Sequence, residues 1–281
     1  MKKYLLIVFL GINGLACSFL ARTLSSPAVV PTVALIASPT YSIGLIEEGI
    51  YCSSDVKEAR DAYNLGQSND LAGNYEQAIE YYEQAVTLDP AYCDAMDNLG
   101  LNLKRLGRIE ESIDWYLRSI NVMPTNDVAY LGLANAYRQL QRYEDAVSAY
   151  EKLVDIAPEN PEGYFGLGMM YYDAQKYQDS IENLKEAERL YREQNSSFDV
   201  DAQLFIGYDY FLLGDMENAV HYLEQAYPAY KDDSSLNYYL GYAYYLESPA
   251  RDLVKAKQYL GKARDLGYSL GADLDQFVDQ P

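Results

Sequence analysis

The chain has 281 residues and carries 42 acidic against 22 basic side chains, a formal net charge of −20. That excess argues against non-specific binding to nucleic acid or to anionic lipid, since both carry the same sign. Apolar residues make up 49% of the chain, enough to pack a core, and tyrosine is abundant at 30 residues beside one Trp and one His.

Met1-Lys2-Lys3 precedes an apolar run from Tyr4 to Ala21. A basic start, a short apolar stretch and small residues beyond it read as an export signal over 1–21. Three outcomes stay open: cleavage after Ala16 or Ser18, an uncleaved anchor near the lower length limit for a span, and lipidation at Cys17, whose preceding Gly14-Leu15-Ala16 matches a lipoprotein box only in part. The expectation is therefore an exported chain, periplasmic, extracellular or membrane-anchored, touching membrane only through this segment. Residues 22–54 are broken by Pro27, Pro31, Pro39 and Gly44 and read as a linker. Cys52 and Cys93 lie outside any CxxC pair, which gives no support to a zinc or thiol-redox site. They read as two unpaired small hydrophobes, with a disulfide open to an exported chain.

From residue 55 the chain repeats itself. Leu65-Gly66, Leu99-Gly100, Leu133-Ala134 and Leu167-Gly168 are spaced by 34 residues. Ala78, Ser112, Ala146 and Ser180 keep the same step, as do Tyr82, Tyr116 and Tyr150, and Pro90, Pro124 and Pro158 close the first three blocks. The step then slips. A fifth block carries Ile206, Gly207 and Ala219, and a sixth carries Leu240, Gly241 and Ala256. Asp199 is placed to cap the fifth block's first helix. Small residues at fixed places and a closing proline mean stacked helix hairpins. The small residue of the first helix lets the second approach closely, the prolines end each second helix, and Gly73 and Gly107 suit left-handed turns between the two.

This pattern resembles the tetratricopeptide repeat. The resemblance implies an all-α, right-handed superhelical solenoid of antiparallel helix hairpins, about six repeats over 55–266, with 267–281 forming a C-terminal cap and tail. It also implies a concave groove lined by the first helix of each repeat. Carried onto this sequence, the groove positions of repeats 1–3 are Arg60, Tyr63, Gln67, Asp94, Asp97, Leu101, Lys104, Asn135 and Arg138, a mixed polar set. Those of repeats 4–6 are mainly aromatic. Phe165, Met169, Tyr172, Tyr208, Phe211, Tyr238, Tyr242 and Tyr245 are the candidate partner-binding residues. They step by three and four along their helices and so share one face. Tyr164, Leu167, Tyr171, Leu240 and Tyr244 already supply a packing stripe, which leaves this one surplus. Some members clamp a chain-end carboxylate, but the corresponding positions here are Tyr63, Gln67, Asn98, Val128 and Gly132, and only Asn98 matches.

No convergent acid, base and nucleophile set appears, and the single His221 cannot build a histidine metal site alone. The expectation is a non-catalytic scaffold or adaptor with no cofactor and no metal, binding a protein or peptide with basic flanks and no nucleic acid. The alternatives are an accessory subunit of a separate enzyme and a self-assembling structural protein. Trp115 reads as a packing residue beside Tyr116.

Overall fold

The computed structural model describes residues 52–280 apart from Glu247. The described residues form thirteen helices and no strand. In chain order they are α1 (Lys57–Leu71), α2 (Tyr75–Leu88), α3 (Cys93–Arg105), α4 (Ile109–Val122), α5 (Asp127–Gln139), α6 (Tyr143–Ile156), α7 (Pro161–Asp173), α8 (Tyr177–Glu193), α9 (Asp199–Leu212), α10 (Met216–Tyr230), α11 (Ser234–Tyr245), α12 (Leu253–Asp265) and α13 (Ala272–Asp279). Odd and even helices pair as antiparallel hairpins, six in all, and α13 follows the last. This is the all-α solenoid that the 34-residue period demands.

Local sequence explains where the helices stop. Between α1 and α2, Gly73 sits at φ 77°, and its N–H donates to the Asp70 carbonyl at 2.9 Å. That left-handed residue closes the helix end and costs glycine nothing. Gly107 repeats the geometry at φ 77°, while Gln141 and Gln175 are held in the same region at φ 58°. Several later helices begin on side-chain caps: Asn126 accepts from the Ala129 N–H at 3.2 Å, and Asp233 from the Leu236 N–H at 2.7 Å. Asp199 is not a cap. It is the first residue of α9, follows Phe198, and pairs with Arg192 at 3.2 Å. Val56 stands in the cap position of α1 and supplies no side-chain cap.

Cys52 and Cys93 are joined in a disulfide with Cα atoms 5.3 Å apart. The reading of two unpaired cysteines is thereby corrected. The bridge ties the segment before α1 to the first turn of α3, closing a loop around the whole of repeat 1.

Packing follows the small residues. A β-carbon on Gly100 would lie 2.9 Å from the Tyr116 ring of its own repeat, and one on Gly132 would lie 2.4 Å from the same ring. Tyr116 is thus sandwiched between its own first helix and that of the next repeat. Tyr150 meets Gly166 in the same way, at 2.2 Å. In repeats 2 and 3 the ring that fills the gap therefore comes from the second helix, and it seals the junction between repeats as well as the hairpin.

The localisation reading is corrected. Among the described residues no helix is long and apolar enough to cross a membrane. The longest, α8, has 17 residues and is rich in charge, whereas a span needs about 20 mostly apolar residues. Residues 1–21 and Cys17, on which export, anchoring or lipidation rested, lie outside the described residues, as does most of the 22–54 linker.

Candidate functional site

Successive first helices touch one another: α3 meets α5, α7 meets α9, and α9 meets α11. No two second helices make a contact of that extent among the described residues. The side on which neighbours crowd is the inner side of the curve, so the first helices line the inner face.

In repeats 4–6 that face is built from rings. Tyr172 and Tyr208 are each 4% exposed and Met169 is 9% exposed, so these three candidate residues are packed away. Phe165, Phe211, Tyr238, Tyr242 and Tyr245 are half-buried. All seven aromatic candidates belong to one connected network. Phe205 touches Phe165 at 6.2 Å between centroids, Tyr172 at 5.7 Å and Tyr208 at 6.1 Å. Tyr239 touches Tyr208 and Phe211, both at 4.8 Å, and Tyr238 at 5.5 Å. Tyr242 then stacks between Tyr238 and Tyr245 at 5.7 and 6.1 Å. The end of the column is covered by the chain itself. Tyr268 stacks on Tyr238 at 4.3 Å, and Phe277 of α13 meets Tyr245 edge-on at 4.7 Å. Leu274 of α13 packs in the same cluster, over Leu260 and Ala263.

Sequence reasoning treated this stripe as surplus because it compared residues within one hairpin. The link it lacked is the position just before the Leu-Gly pair. There Gly132 and Gly166 give way to Phe205 and Tyr239, while the second-helix tyrosines Tyr116 and Tyr150 give way to Leu184 and Leu223. That exchange is visible in the sequence and signals that the later rings are needed between first helices.

The inner face of repeats 1–3 is polar. The Tyr63 hydroxyl accepts from Asn98 Nδ2 at 2.9 Å and from Gln67 Nε2 at 3.1 Å. Arg105 forms an ion pair with Asp70 one repeat back, and exposed Arg60 donates to the Ser54 carbonyl at 2.8 Å. Asp97 is buried and accepts from Asn126 Nδ2 at 2.7 Å, and burial pushes its carboxyl up to about 7. Leu101, Lys104, Asn135 and Arg138 are half-buried. The Tyr150 hydroxyl donates to Asn135 Oδ1 at 2.9 Å.

On the outer side, Trp115 is half-buried with the Arg118 guanidinium 4.4 Å above its ring. Trp115 packs against the buried cluster of Ala78, Ile79, Tyr82, Leu99 and Leu103, in keeping with its reading as a packing residue, and with Arg118 it also lines a cavity of about 430 Å³ beside Val86, Pro90, Met96 and Leu117. His221 is exposed and its ring lies 2.8 Å from Gln225 Nε2. Among the described residues no group of three or more His, Cys, Asp or Glu side chains is placed to hold a metal ion.

Tetratricopeptide repeat models match residues 59–92, 94–126 and 161–232, and a TPR repeat model matches 134–173. The chain belongs to the tetratricopeptide repeat family. Its repeats resemble those of solved TPR proteins at low identity, which speaks for the shared fold. "MamA 41-end from Desulfovibrio magneticus RS-1" aligns with a TM-score of 0.56 at 17% identity, over 64% of this chain and 99% of that one. YrrB, described as a TPR protein with an unusual peptide-binding site, aligns with a TM-score of 0.57 at 19% identity, over 66% and 92%. A chain of the APC/C hetero-tetramer Cut9-Hcn1 aligns with a TM-score of 0.59 at 16% identity, over 79% of this chain and 42% of that one. No curated protein sequence is significantly similar to the chain. As a TPR protein it has the architecture of a protein-interaction scaffold.

Proposed function

We propose that this TPR chain is a non-catalytic adaptor that holds a protein or peptide partner on the inner face formed by its first helices. The observation that carries the reading is the row of half-buried rings Phe211, Tyr238, Tyr242 and Tyr245 on α9 and α11. Aromatic side chains with one accessible edge offer large contact area at low ordering cost, and such residues dominate binding energy at interface centres. Phe165 extends the row on α7. Met169, Tyr172 and Tyr208 serve it from below, by holding the accessible rings in place. The excess of 42 acidic over 22 basic residues favours basic flanks on the partner and a salt-sensitive association.

Site-specific photo-crosslinking tests this. A benzophenone amino acid replaces Tyr245 on the inner face, and in a separate variant Glu217, which is exposed on α10. The expected result is a stoichiometric adduct to one protein species from position 245 and none from 217. Adducts from 217 alone, or from neither position, would contradict the inner-face reading. An adduct to a second copy of this chain would replace the adaptor with self-assembly.

A further inference from the structure

The inner face of repeats 2 and 3 holds a cluster of donors without an acceptor. Lys104 on α3 and Arg138 on α5 occupy the same repeat position one 34-residue step apart, on helices that touch. Both are half-buried. Several other cations are engaged: Arg105 pairs with Asp70, Arg142 with Asp145, Lys152 with Asp155, and Lys255 with Glu224. Lys104 and Arg138 make no side-chain hydrogen bond, ion pair or ring contact among the described residues, although acidic residues outnumber basic ones by 20. Asp173, at the end of α7, lies within the field of Arg138 but forms no ion pair with it. Asn135 stands one helical turn before Arg138. Its Oδ1 is taken by the Tyr150 hydroxyl, which leaves its Nδ2 as a further unengaged donor. Leu101, one turn before Lys104, adds a half-buried apolar wall.

Two partly desolvated like charges set side by side repel each other and lack the counter-charge that normally accompanies burial. Burial first, then the neighbouring Arg138 and Arg105, hold the Lys104 ammonium down at about 8. A protein with so many carboxylates on hand has left both side chains without a direct ion pair, and Lys104 without any nearby carboxylate, the arrangement expected where the counter-charge arrives with a ligand.

We propose that Lys104, Arg138 and the Asn135 amide form an anion site that takes a carboxylate of the partner, with Leu101 contacting the adjoining apolar atoms. The guanidinium suits a planar carboxylate through paired N–H donors, and the ammonium adds a point charge. These are not the clamp positions known in some relatives, which hold Tyr63, Gln67, Asn98, Val128 and Gly132 here. The site deepens the adaptor reading by naming an anchor chemistry for the same face, and it is tested without the partner.

The test follows the Lys104 side chain by NMR in the full chain labelled with ¹³C-lysine, its signal assigned by its loss in Lys104→Met. Three peptides serve as probes: Ac-Ala-Glu-Ala-NH2 with a side-chain carboxylate only, Ac-Ala-Ala-Leu-OH with a chain-end carboxylate only, and Ac-Ala-Ala-Leu-NH2 with neither. One carboxylate peptide or both should move the Lys104 titration upward from about 8 toward the ordinary lysine value of 10.5. Whichever peptide acts identifies the source of the carboxylate. Arg138→Leu should weaken that effect by about tenfold, the scale of one lost charge-assisted hydrogen bond. The proposal fails if neither carboxylate peptide shifts Lys104, or if the amide peptide shifts it equally. A shifted Lys104 together with no adduct from position 245 keeps the anion site and sinks the aromatic surface. The reverse pair of results sinks the anion site alone.

Discussion

The two halves of the array solve one packing problem in opposite ways. In repeats 2 and 3 the second helix contributes the ring, Tyr116 or Tyr150, and the following first helix recedes to Gly132 or Gly166 to admit it. In repeats 4 and 5 the second helix contributes a smaller Leu184 or Leu223, and the following first helix contributes Phe205 or Tyr239, 1% and 3% exposed. Volume across the junction is roughly kept while its source changes sides, the kind of exchange that packed interiors tolerate. The consequence is a difference in surface chemistry. Rings supplied by first helices crowd the inner face with aromatic side chains, whereas rings supplied by second helices leave it to polar groups. One architecture therefore presents a polar inner face at its beginning and an aromatic one at its end.

The comparison breaks most visibly at Tyr208. If the buried C-terminal rings are junction core, Tyr208→Ala should cost about 3–5 kcal/mol, as large-to-small substitutions in a core do. Tyr245→Ala, half-buried beneath α13, should cost about 1–2 kcal/mol. Urea unfolding of the two variants measures both. Equal and small costs would mean that Tyr208 is a free binding residue, as the periodicity alone suggested.

A smaller effect sharpens the comparison through one buried carboxylate in each half. Asp209 on α9 is fully buried, and the only polar side chain acting on its carboxyl is the Ser180 hydroxyl beside it. Burial raises its carboxyl from 3.8 to about 7, and Asp97 is raised to about 7 for the same reason. A raised folded-state value means that the native protein holds a proton which the unfolded chain has released. Stability from these groups is therefore full below about pH 4 and is lost as pH climbs through about 7. Asp209→Asn should then gain on the wild-type protein between pH 4 and pH 8 by on the order of 2–4 °C in melting midpoint per kcal/mol recovered. A difference between the two proteins that stays constant with pH would contradict the burial argument, and Asp97→Asn offers the same comparison in the polar half.

Much of the fold was legible because a 34-residue step of Leu-Gly, Ala/Ser and Pro is written in residues whose size is their role. Gly73 and Gly107 announced left-handed turns by identity alone, while Gln141 and Gln175 take the same conformation without announcing it. The Cys52–Cys93 pairing was not legible, since two cysteines 41 residues apart carry no spacing rule and their approach depends on how Ala91 and Tyr92 turn into α3. Asp199 looked like a cap because the residue type fits, yet it is already the first helical residue of α9 and Phe198 stands in the cap position. The candidate site was half legible. Periodicity found the face shared by Phe165, Tyr208 and Tyr242, but periodicity cannot say whether a face meets solvent or the next repeat. Only the exchange of glycine for ring at 132, 166, 205 and 239 could have said so. Lys104 and Arg138 were placed on the inner face by their position, but their lack of partners is a property of three dimensions.

The claim that rings are traded across repeat junctions is tested most directly by converting one junction to the other type. Gly166→Phe alone should destabilise by about 1–3 kcal/mol, because any side chain there strikes Tyr150. Tyr150→Leu alone should also destabilise, by emptying the sandwich and removing the hydroxyl from Asn135. Combined, they recreate the Leu184 and Phe205 arrangement of the next repeat. The account predicts that the double variant recovers stability relative to the sum of the singles, with a coupling of about 1–3 kcal/mol. A double variant whose loss equals the sum of the two would show that the halves are not exchanging volume across the junction, and the explanation of the aromatic inner face would fall with it.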